Sequence, residues 1–145
     1  MPGHLVSIGY EHRTLSELIE VLRAAGVAVV YDVRLTPMSR KPGMSRKRIS
    51  EAAEAAGIGY VHAKALGNPT NNREAFHRGE VAAFDRYRAL LDIAEARAAL
   101  DEIADALKTE TVALLCLEAD PSICHRTLVA RAVRRRRRGV AVRDL

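Results

Sequence analysis

The chain has only two cysteines, and both lie in a short segment that also carries acids, a histidine and an arginine. This segment, residues 114–126, opens on an apolar stretch of strand length, which acids and Pro121 then break. A helical pattern resumes directly afterwards, and we expect a helix over residues 124–138. A strand that turns into a helix presents polar side chains and free backbone N–H groups at one edge of its sheet. The segment therefore predicts the working edge of the protein.

The first hypothesis is an anion-binding active site. Arg126 near the helix start and Arg34 at a neighbouring strand end would hold a phosphate or a carboxylate. Glu118 and His125 would transfer protons. Cys124 would be an optional nucleophile, because a helix N-terminus lowers the pKa of a thiol.

The same residues also have structural interpretations. Cys116 lies inside the apolar stretch, where a small buried residue is the favoured interpretation. Both interpretations stay open for Cys124. Ion pairs are the structural alternative for the arginines: Asp32–Arg34 and Glu118–Arg126. Sulfur or phosphoryl transfer is disfavoured, because the segment holds no compact Cys-x5-Arg loop.

A metal site is the next hypothesis, with four candidate ligands: Cys116, Glu118, Cys124 and His125. The spacing is not that of a Cys-x2-Cys ribbon. Neighbouring residues on a helix point in different directions, which would separate Cys124 from His125. We therefore predict no metal, and the absence of G-x-G-x-x-G and Walker motifs predicts no nucleotide cofactor.

Positive charge is concentrated in two places. Residues 134–138 are five consecutive arginines, which account for the whole formal net charge of +5. Residues 34–48 form a second basic segment that contains no acid. Such clustering indicates an anionic partner, either a small molecule or a nucleic acid. A non-catalytic nucleic-acid or protein-binding module is thus the alternative function, although few aromatics are free to stack on bases, and the arginine run also suits a helix C-terminus.

Composition indicates an ordinary folded protein of 145 residues, with 48% apolar and 28% charged residues. No apolar stretch is long enough to span a membrane. No secretory signal is visible and two cysteines do not make a disulfide scaffold, so we expect a cytoplasmic location.

The elements that must position these residues follow from hydrophobic periodicity. We expect one domain, residues 1–145, in the order β-α-β-α-β-α-α-β-α-β, with Ala63–Asn72 as a loop. This order predicts a three-layer α/β/α fold around a largely parallel sheet of about five strands. Thr14 and Glu17 match a capping box, and Ser45 matches a helix N-cap. Helix-ending glycines are expected at three positions: Gly26, Gly57 and Gly139.

Right-handed crossovers would place the carboxyl ends of all strands at one edge. Several residues would then join the 118–126 turn there as anion or substrate contacts: Tyr10, His12, Arg13, Asp32, Arg34, Ser39 and Arg126.

A set of short motifs runs along almost the whole chain. The motifs are Ser7-Ile8-Gly9-Tyr10-Glu11, Asp32-Val33-Arg34, Pro37 with Ser39, Lys41 with Gly43, Gly57-Ile58-x-Tyr60-Val61-His62, Leu66-Gly67-Asn68-Pro69 and Cys116-x-Glu118-x-x-Pro121-x-x-Cys124-His125-Arg126. In this order they resemble the uncharacterised bacterial and archaeal family catalogued as domain of unknown function 488. The resemblance implies an α/β fold and supplies no settled reaction. His12 and Met44 depart from the family pattern, in which a small residue and an aromatic are commoner.

Overall fold

Five parallel strands form one sheet in a computed structural model that describes residues 2–36 and 43–145. The strands are β1 (Leu5–Gly9), β2 (Val27–Asp32), β3 (Gly59–His62), β4 (Thr111–Cys116) and β5 (Val142–Asp144). Their order across the sheet is β3-β2-β4-β1-β5, so β4 pairs with β2 on one side and with β1 on the other. The predicted α/β class is confirmed.

Helices cover both faces of the sheet. They are α1 (Leu15–Ala24), α2 (Arg46–Ala55), α3 (Thr70–His77), α4 (Val81–Leu90), α5 (Ala94–Ala106) and α6 (Arg126–Arg136). Apolar residues of α1 and α2 pack in one core with Val6 and Ile8 of β1, whereas α3 to α6 pack in a second core on the opposite face. Within the described ranges, no helix combines the length and apolar character that crossing a bilayer requires.

Alternation along β4 decides which face receives its last side chain. Val112, Leu114 and Cys116 contribute to the core beneath α3 to α6, whereas Ala113 and Leu115 contribute to the core beneath α1 and α2. Cys116 therefore points into the layer that contains α6.

Local signals set the helix boundaries where they were expected. Thr14 and Glu17 form the reciprocal capping box of α1, and the Ser45 hydroxyl accepts from the Arg48 amide at the start of α2. Gly26 and Gly57 have positive φ and directly follow the C-caps of α1 and α2, so these two glycines end helices as predicted. Gly139 also has positive φ, but α6 already ends at Arg136, so the prediction that Gly139 ends this helix is wrong.

Two boundaries differ from the sequence-based expectation. The segment 63–72 is not only a loop, because it contains a 3-10 helix (Lys64–Leu66) and the first turn of α3. The last helix begins at Arg126 instead of Cys124 and follows a separate 3-10 turn, Pro121–Ile123. The Asp120 carboxylate accepts from both the Ser122 amide and hydroxyl, which stabilises this turn and delays the helix.

The carboxyl end of β4 lies where the connections diverge. The chain leaves β1 and β2 toward the α1 and α2 layer, but it leaves β4 toward α6 on the other face. Open parallel sheets place their ligand crevices at such switch points. The topology alone therefore indicates the carboxyl end of β4 as the place for a ligand site.

Candidate functional site at the carboxyl end of the central strand

Two thiols and an imidazole meet at the end of β4. Cys116 Sγ and Cys124 Sγ each lie 3.9 Å from Nδ1 of His125. The three donor atoms all lie within 4.8 Å of one another, and all three residues are buried. Cys124 is the extended residue before α6 and His125 is its N-cap, so the two are not successive residues of a helix. The prediction that helical geometry would separate them is therefore wrong.

His125 is held from its other ring nitrogen. Nε2 lies 2.7 Å from the backbone carbonyl of Val33, just beyond the end of β2. A carbonyl can only accept, so Nε2 carries the proton and Nδ1 keeps a lone pair that faces the thiols. The ring of Tyr87 packs edge-on against the imidazole, with its hydroxyl donated to the Leu66 carbonyl.

Glu118 connects this cluster to the surface. Its Oε2 accepts from the Cys116 thiol at 3.4 Å, and its Oε1 lies 2.7 Å from Nε2 of His77 in the last turn of α3. The carboxylate is buried, whereas the His77 side chain is 41% exposed. A hydrogen-bonded path thus runs from a solvent-accessible imidazole to a buried thiol.

The electrostatics of the cluster differ from residue to residue. Burial opposes ionisation of Glu118, but hydrogen bonds from its own amide, the two thiols and His77 outweigh burial and lower its pKa. Burial and the neighbouring Cys116 raise the pKa of Cys124 well above its ordinary value, although His125 acts in the opposite direction. The expected lowering by a helix N-terminus is absent, since α6 starts two residues later. Burial opposes protonation of His125, but Cys124, the Val33 carbonyl and Glu118 raise its pKa.

The turn after β4 is held by backbone contacts with the residues that follow β1. The amides of Tyr10 and Glu11 donate to the carbonyls of Cys116 and Leu117. A side chain at Gly9 would place its Cβ 1.8 Å from the Glu118 carbonyl oxygen, so only glycine allows the turn to pack this close.

Arg126 completes the same turn from inside. Its Nε donates to Ser7 Oγ at 2.7 Å, and its terminal nitrogens donate to the carbonyls of Glu118 and Ala119. The side chain is fully buried, and three of its five N–H groups have protein acceptors. Arg126 thus contacts the backbone of Glu118, and the carboxylate of Glu118 turns to His77.

Arg34 forms a second cluster on the opposite face of the sheet. It makes a two-point ion pair with the fully buried Asp32, at 2.8 and 2.6 Å, and donates to the Met44 carbonyl at 2.8 Å. The Tyr10 ring lies under the guanidinium, and the Tyr60 hydroxyl donates to Asp32. Burial opposes the charge of Arg34, but the hydrogen bonds that it donates to Asp32 and the coulombic attraction of that carboxylate outweigh burial and raise the pKa of Arg34. An ion pair with Asp32, the structural alternative for Arg34, is therefore present.

The sequence-based candidates therefore divide into two groups on opposite faces. Glu118, Cys124, His125 and Arg126 share the α6 side, whereas Tyr10, Asp32 and Arg34 share the α2 side. Arg34 and Arg126 are held by separate sets of hydrogen-bond partners.

The remaining candidates lie at the rim. Arg13 donates to the Gly9 carbonyl at 2.7 Å, and the His12 side chain is 81% exposed beside Glu11. His12 has φ 68°, a left-handed backbone conformation that favours glycine. Ser39 falls outside the described residues.

Sequence reasoning missed His77 and Tyr60 as members of these clusters. His77 lies 41 residues from Glu118 along the chain, on a helix of otherwise ordinary composition, and no local pattern distinguishes it. Tyr60 belongs to a motif that resembles the family pattern, which is the one signal that could have selected it.

The fold and the site define a three-layer α/β protein with a buried thiol–imidazole–carboxylate cluster at the carboxyl end of its central strand. The chain belongs to the family described as domain of unknown function DUF488, whose family model matches residues 14–133. No curated protein and no solved structure matches the chain.

Proposed function

We propose that the carboxyl end of β4 is an enzyme active site that acts on a phosphate-containing or other anionic substrate. The observation that carries the proposal is the path from His77 through Glu118 to Cys116, since it joins a half-exposed imidazole to buried reactive groups. Glu118 and His77 transfer protons in this scheme, next to the cluster of Cys116, Cys124 and His125. Both thiols are free, which suits a reducing cytoplasmic location.

The basic start of α2 supports an anionic substrate. Arg46, Lys47 and Arg48 occupy the first turn of this helix, are exposed and have no acid among them. Cations at a helix N-terminus oppose the macrodipole, so their presence there costs stability unless an anion is attracted to them. The helix follows β2 and therefore begins near the same edge of the sheet.

Arg34 and Arg126 have a positioning role in this proposal. Asp32 and Met44 occupy most of the donors of Arg34, and backbone carbonyls with Ser7 occupy those of Arg126. They fix the strand ends, while the exposed cations attract the substrate.

A panel of phosphate monoesters, diesters and nucleotides tests the proposal. The substitution Glu118→Gln should lower the turnover of any accepted substrate by about 10²–10⁴-fold. The substitution Glu95→Gln changes an exposed acid of α5 and serves as the control. Full turnover by the Glu118 variant would assign the activity to another site or to a contaminant. If the chain binds anions but turns over no member of the panel, the site is a binding site and the proposed enzyme activity is wrong.

A nucleic-acid-binding module is the second candidate function. Exposed arginines at the end of α6 support it, because Arg134, Arg135 and Arg138 have no ion-pair partner among the described residues. Binding of a short oligonucleotide should weaken linearly with the logarithm of salt concentration, and alanine at these three positions should reduce that slope. Oligonucleotide binding that does not depend on salt concentration, or whose salt dependence is the same in the variant, would rule out this candidate function.

A further inference from the structure

We propose that Cys116, Cys124 and His125 bind one soft divalent cation, in the first place zinc, at the carboxyl end of β4. The inference deepens the proposed function and rests on it for the role of Glu118.

The separations of the donor atoms suit a tetrahedral site. Both sulfur atoms lie 3.9 Å from His125 Nδ1, and all three donors fall within 4.8 Å. With Zn–S distances of about 2.3 Å and Zn–N distances of about 2.0–2.1 Å, tetrahedral ligands are separated by roughly 3.5–3.8 Å. Each sulfur–nitrogen separation therefore needs to contract by only a few tenths of an ångström, and the sulfur–sulfur separation by at most about 1 Å, so the folded chain already gathers the three donors.

The orientation of His125 is a second and independent observation. Its Nε2–H group donates to the Val33 carbonyl, which fixes the tautomer and leaves the Nδ1 lone pair directed at both sulfur atoms. Metal-binding histidines are oriented in this way, with the distal N–H group held by a carbonyl or carboxylate. The edge-on contact with Tyr87 restricts rotation of the ring further.

Charge balance agrees with a buried metal. A divalent cation bound by two thiolates and a neutral imidazole has no net charge, so the complex can be buried without an unpaired ion. In the metal-free chain, two thiols share one imidazole nitrogen and one carboxylate oxygen, and hydrogen bonds to sulfur are weak. Sulfur and imidazole donors favour zinc and other soft ions over magnesium or calcium.

Glu118 lies next to this donor set without being needed in it. Its Oε1 is engaged by His77, and its Oε2 contacts the Cys116 thiol. Three protein ligands leave the fourth position of a tetrahedral ion for water or substrate, which is the arrangement of catalytic zinc sites. Glu118 and His77 then supply the proton transfer beside the ion.

The test is metal binding by the full chain, purified under reducing conditions and stripped with a chelator. Zinc affinity is measured by competition with a chromophoric chelator. Cobalt substitution reports the ligands, since thiolate ligation gives a near-ultraviolet charge-transfer band and tetrahedral cobalt gives intense visible bands. We expect one equivalent of either ion, together with a zinc-dependent rise in the melting temperature of the wild-type chain.

Variants separate ligands from neighbours. Cys124→Ser and His125→Asn should each weaken zinc binding by more than the about 10–100-fold that loss of an outer-shell partner costs. His62→Asn is the matched control, because His62 also contacts a backbone carbonyl through Nε2 but lies outside the cluster. Should the variants fail to fold, the charge-transfer band of the cobalt-loaded wild-type chain still shows whether the thiols are ligands, which burial of Cys116 and Cys124 alone cannot produce.

Each outcome assigns failure to one of the two proposals. Folded wild-type chain that binds neither zinc nor cobalt stoichiometrically overturns the metal site, as does equal affinity in the Cys124 and His125 variants. If Glu118→Gln still abolishes turnover in that case, the proposed function stands without the metal. If the chain binds zinc but turns over no anionic substrate, the metal site stands and the proposed function fails.

Discussion

Arginines in this chain occupy two kinds of position, buried at the edge of the sheet and exposed at the end of α6, and the two sets differ in what holds them. Arg34 and Arg126 each stand apart from the arginine run and are buried at the carboxyl edge of the sheet. The run at residues 134–138 lies at the end of α6, and most of it is exposed. Within the run, Arg136 pairs with Asp101 at 2.7 Å on the protein surface.

What differs between the two sets is the number and kind of partners. The buried arginines bind a carboxylate, a hydroxyl or backbone carbonyls from distant parts of the chain, whereas the exposed ones extend into solvent. Density of positive charge in a sequence therefore indicates how the surface meets an anion, but it does not indicate which cations hold the fold together.

The largest expected effect is on Arg34. Replacing it with alanine leaves the fully buried Asp32 without its counter-charge, and we expect the free energy of unfolding to fall by about 3–5 kcal/mol. Urea unfolding followed by circular dichroism measures the change. Arg97→Ala, at an exposed position of α5, is the control and should stay within about 0.5 kcal/mol. A loss below about 1 kcal/mol would place Arg34 with the surface arginines.

Arg126→Met should cost about 3 kcal/mol, because the long side chain still fills the space while its hydrogen bonds to Ser7 and to the Glu118 and Ala119 carbonyls are lost. Hydrogen exchange adds a local readout, since the Ala119 amide donates to Glu11 only while the turn is intact. Arg131→Met on the exposed side of α6 should change neither quantity. Unchanged protection of the turn in the Arg126 variant would contradict its positioning role.

The hydrogen bonds that Glu118 accepts make the stability of the chain depend on pH. The pKa of Glu118 is lowered in the folded chain, so its contribution to stability is present above the ordinary pKa of glutamate and is lost as the pH falls through the folded value. Glu118→Gln should therefore be less stable than the wild type by about 1–2 kcal/mol at neutral pH, and the difference should vanish in acid. Melting temperatures across this range measure it. Parallel profiles for the two proteins would mean that His77 and the thiols do not favour the ionised form.

At His12 we expect a small gain in stability on substitution, because its backbone conformation is unfavourable for a residue other than glycine. Because φ is 68°, His12→Gly should raise the free energy of unfolding by about 1 kcal/mol. His12→Ala keeps the strain and should bring no such gain, so the pair separates backbone conformation from loss of the imidazole. Equal melting temperatures for both variants would show that the strain is relieved elsewhere.

The smallest effect on stability is expected in the arginine run. Alanine at Arg134, Arg135 and Arg138 should change the free energy of unfolding by less than about 0.5 kcal/mol per position. Thermal unfolding at low and at high salt measures this. A cooperative loss of several kcal/mol would show that the run is structural, and the contrast with Arg34 and Arg126 would disappear.

Local chemistry explains why much of the fold was predictable. The capping box of Thr14 and Glu17 and the glycines that end the helices act within a few residues, so the sequence displays them directly. The apolar stretch at 112–116 identified the central strand, and the convergence of polar residues at the carboxyl edges followed from topology.

The rest depended on contacts that the sequence does not display. The short turn stabilised by Asp120 displaced Cys124 from the helix and turned its thiol toward His125. The partner of Glu118 came from α3. The face on which Arg34 lies depends on alternation at the end of β2, and the face of Arg126 depends on the layer that α6 joins. Such outcomes are set by tertiary packing and cannot be inferred from spacing alone.

The strand order has a consequence for how the site comes into being during synthesis. Strand β1 pairs with β4 and β5, both of which belong to the last third of the chain, while β2 and β3 can pair with each other early. On a ribosome, the first strand must therefore wait without a partner until about residue 116 has emerged, and β4 then enters between two segments already made. Cys116 enters the sheet with β4 and Cys124 follows it, while β5 pairs with β1 later still. The nascent chain thus exposes both thiols to the reductants and metal ions of its surroundings until the sheet closes, and any metal would be acquired at that moment or after it.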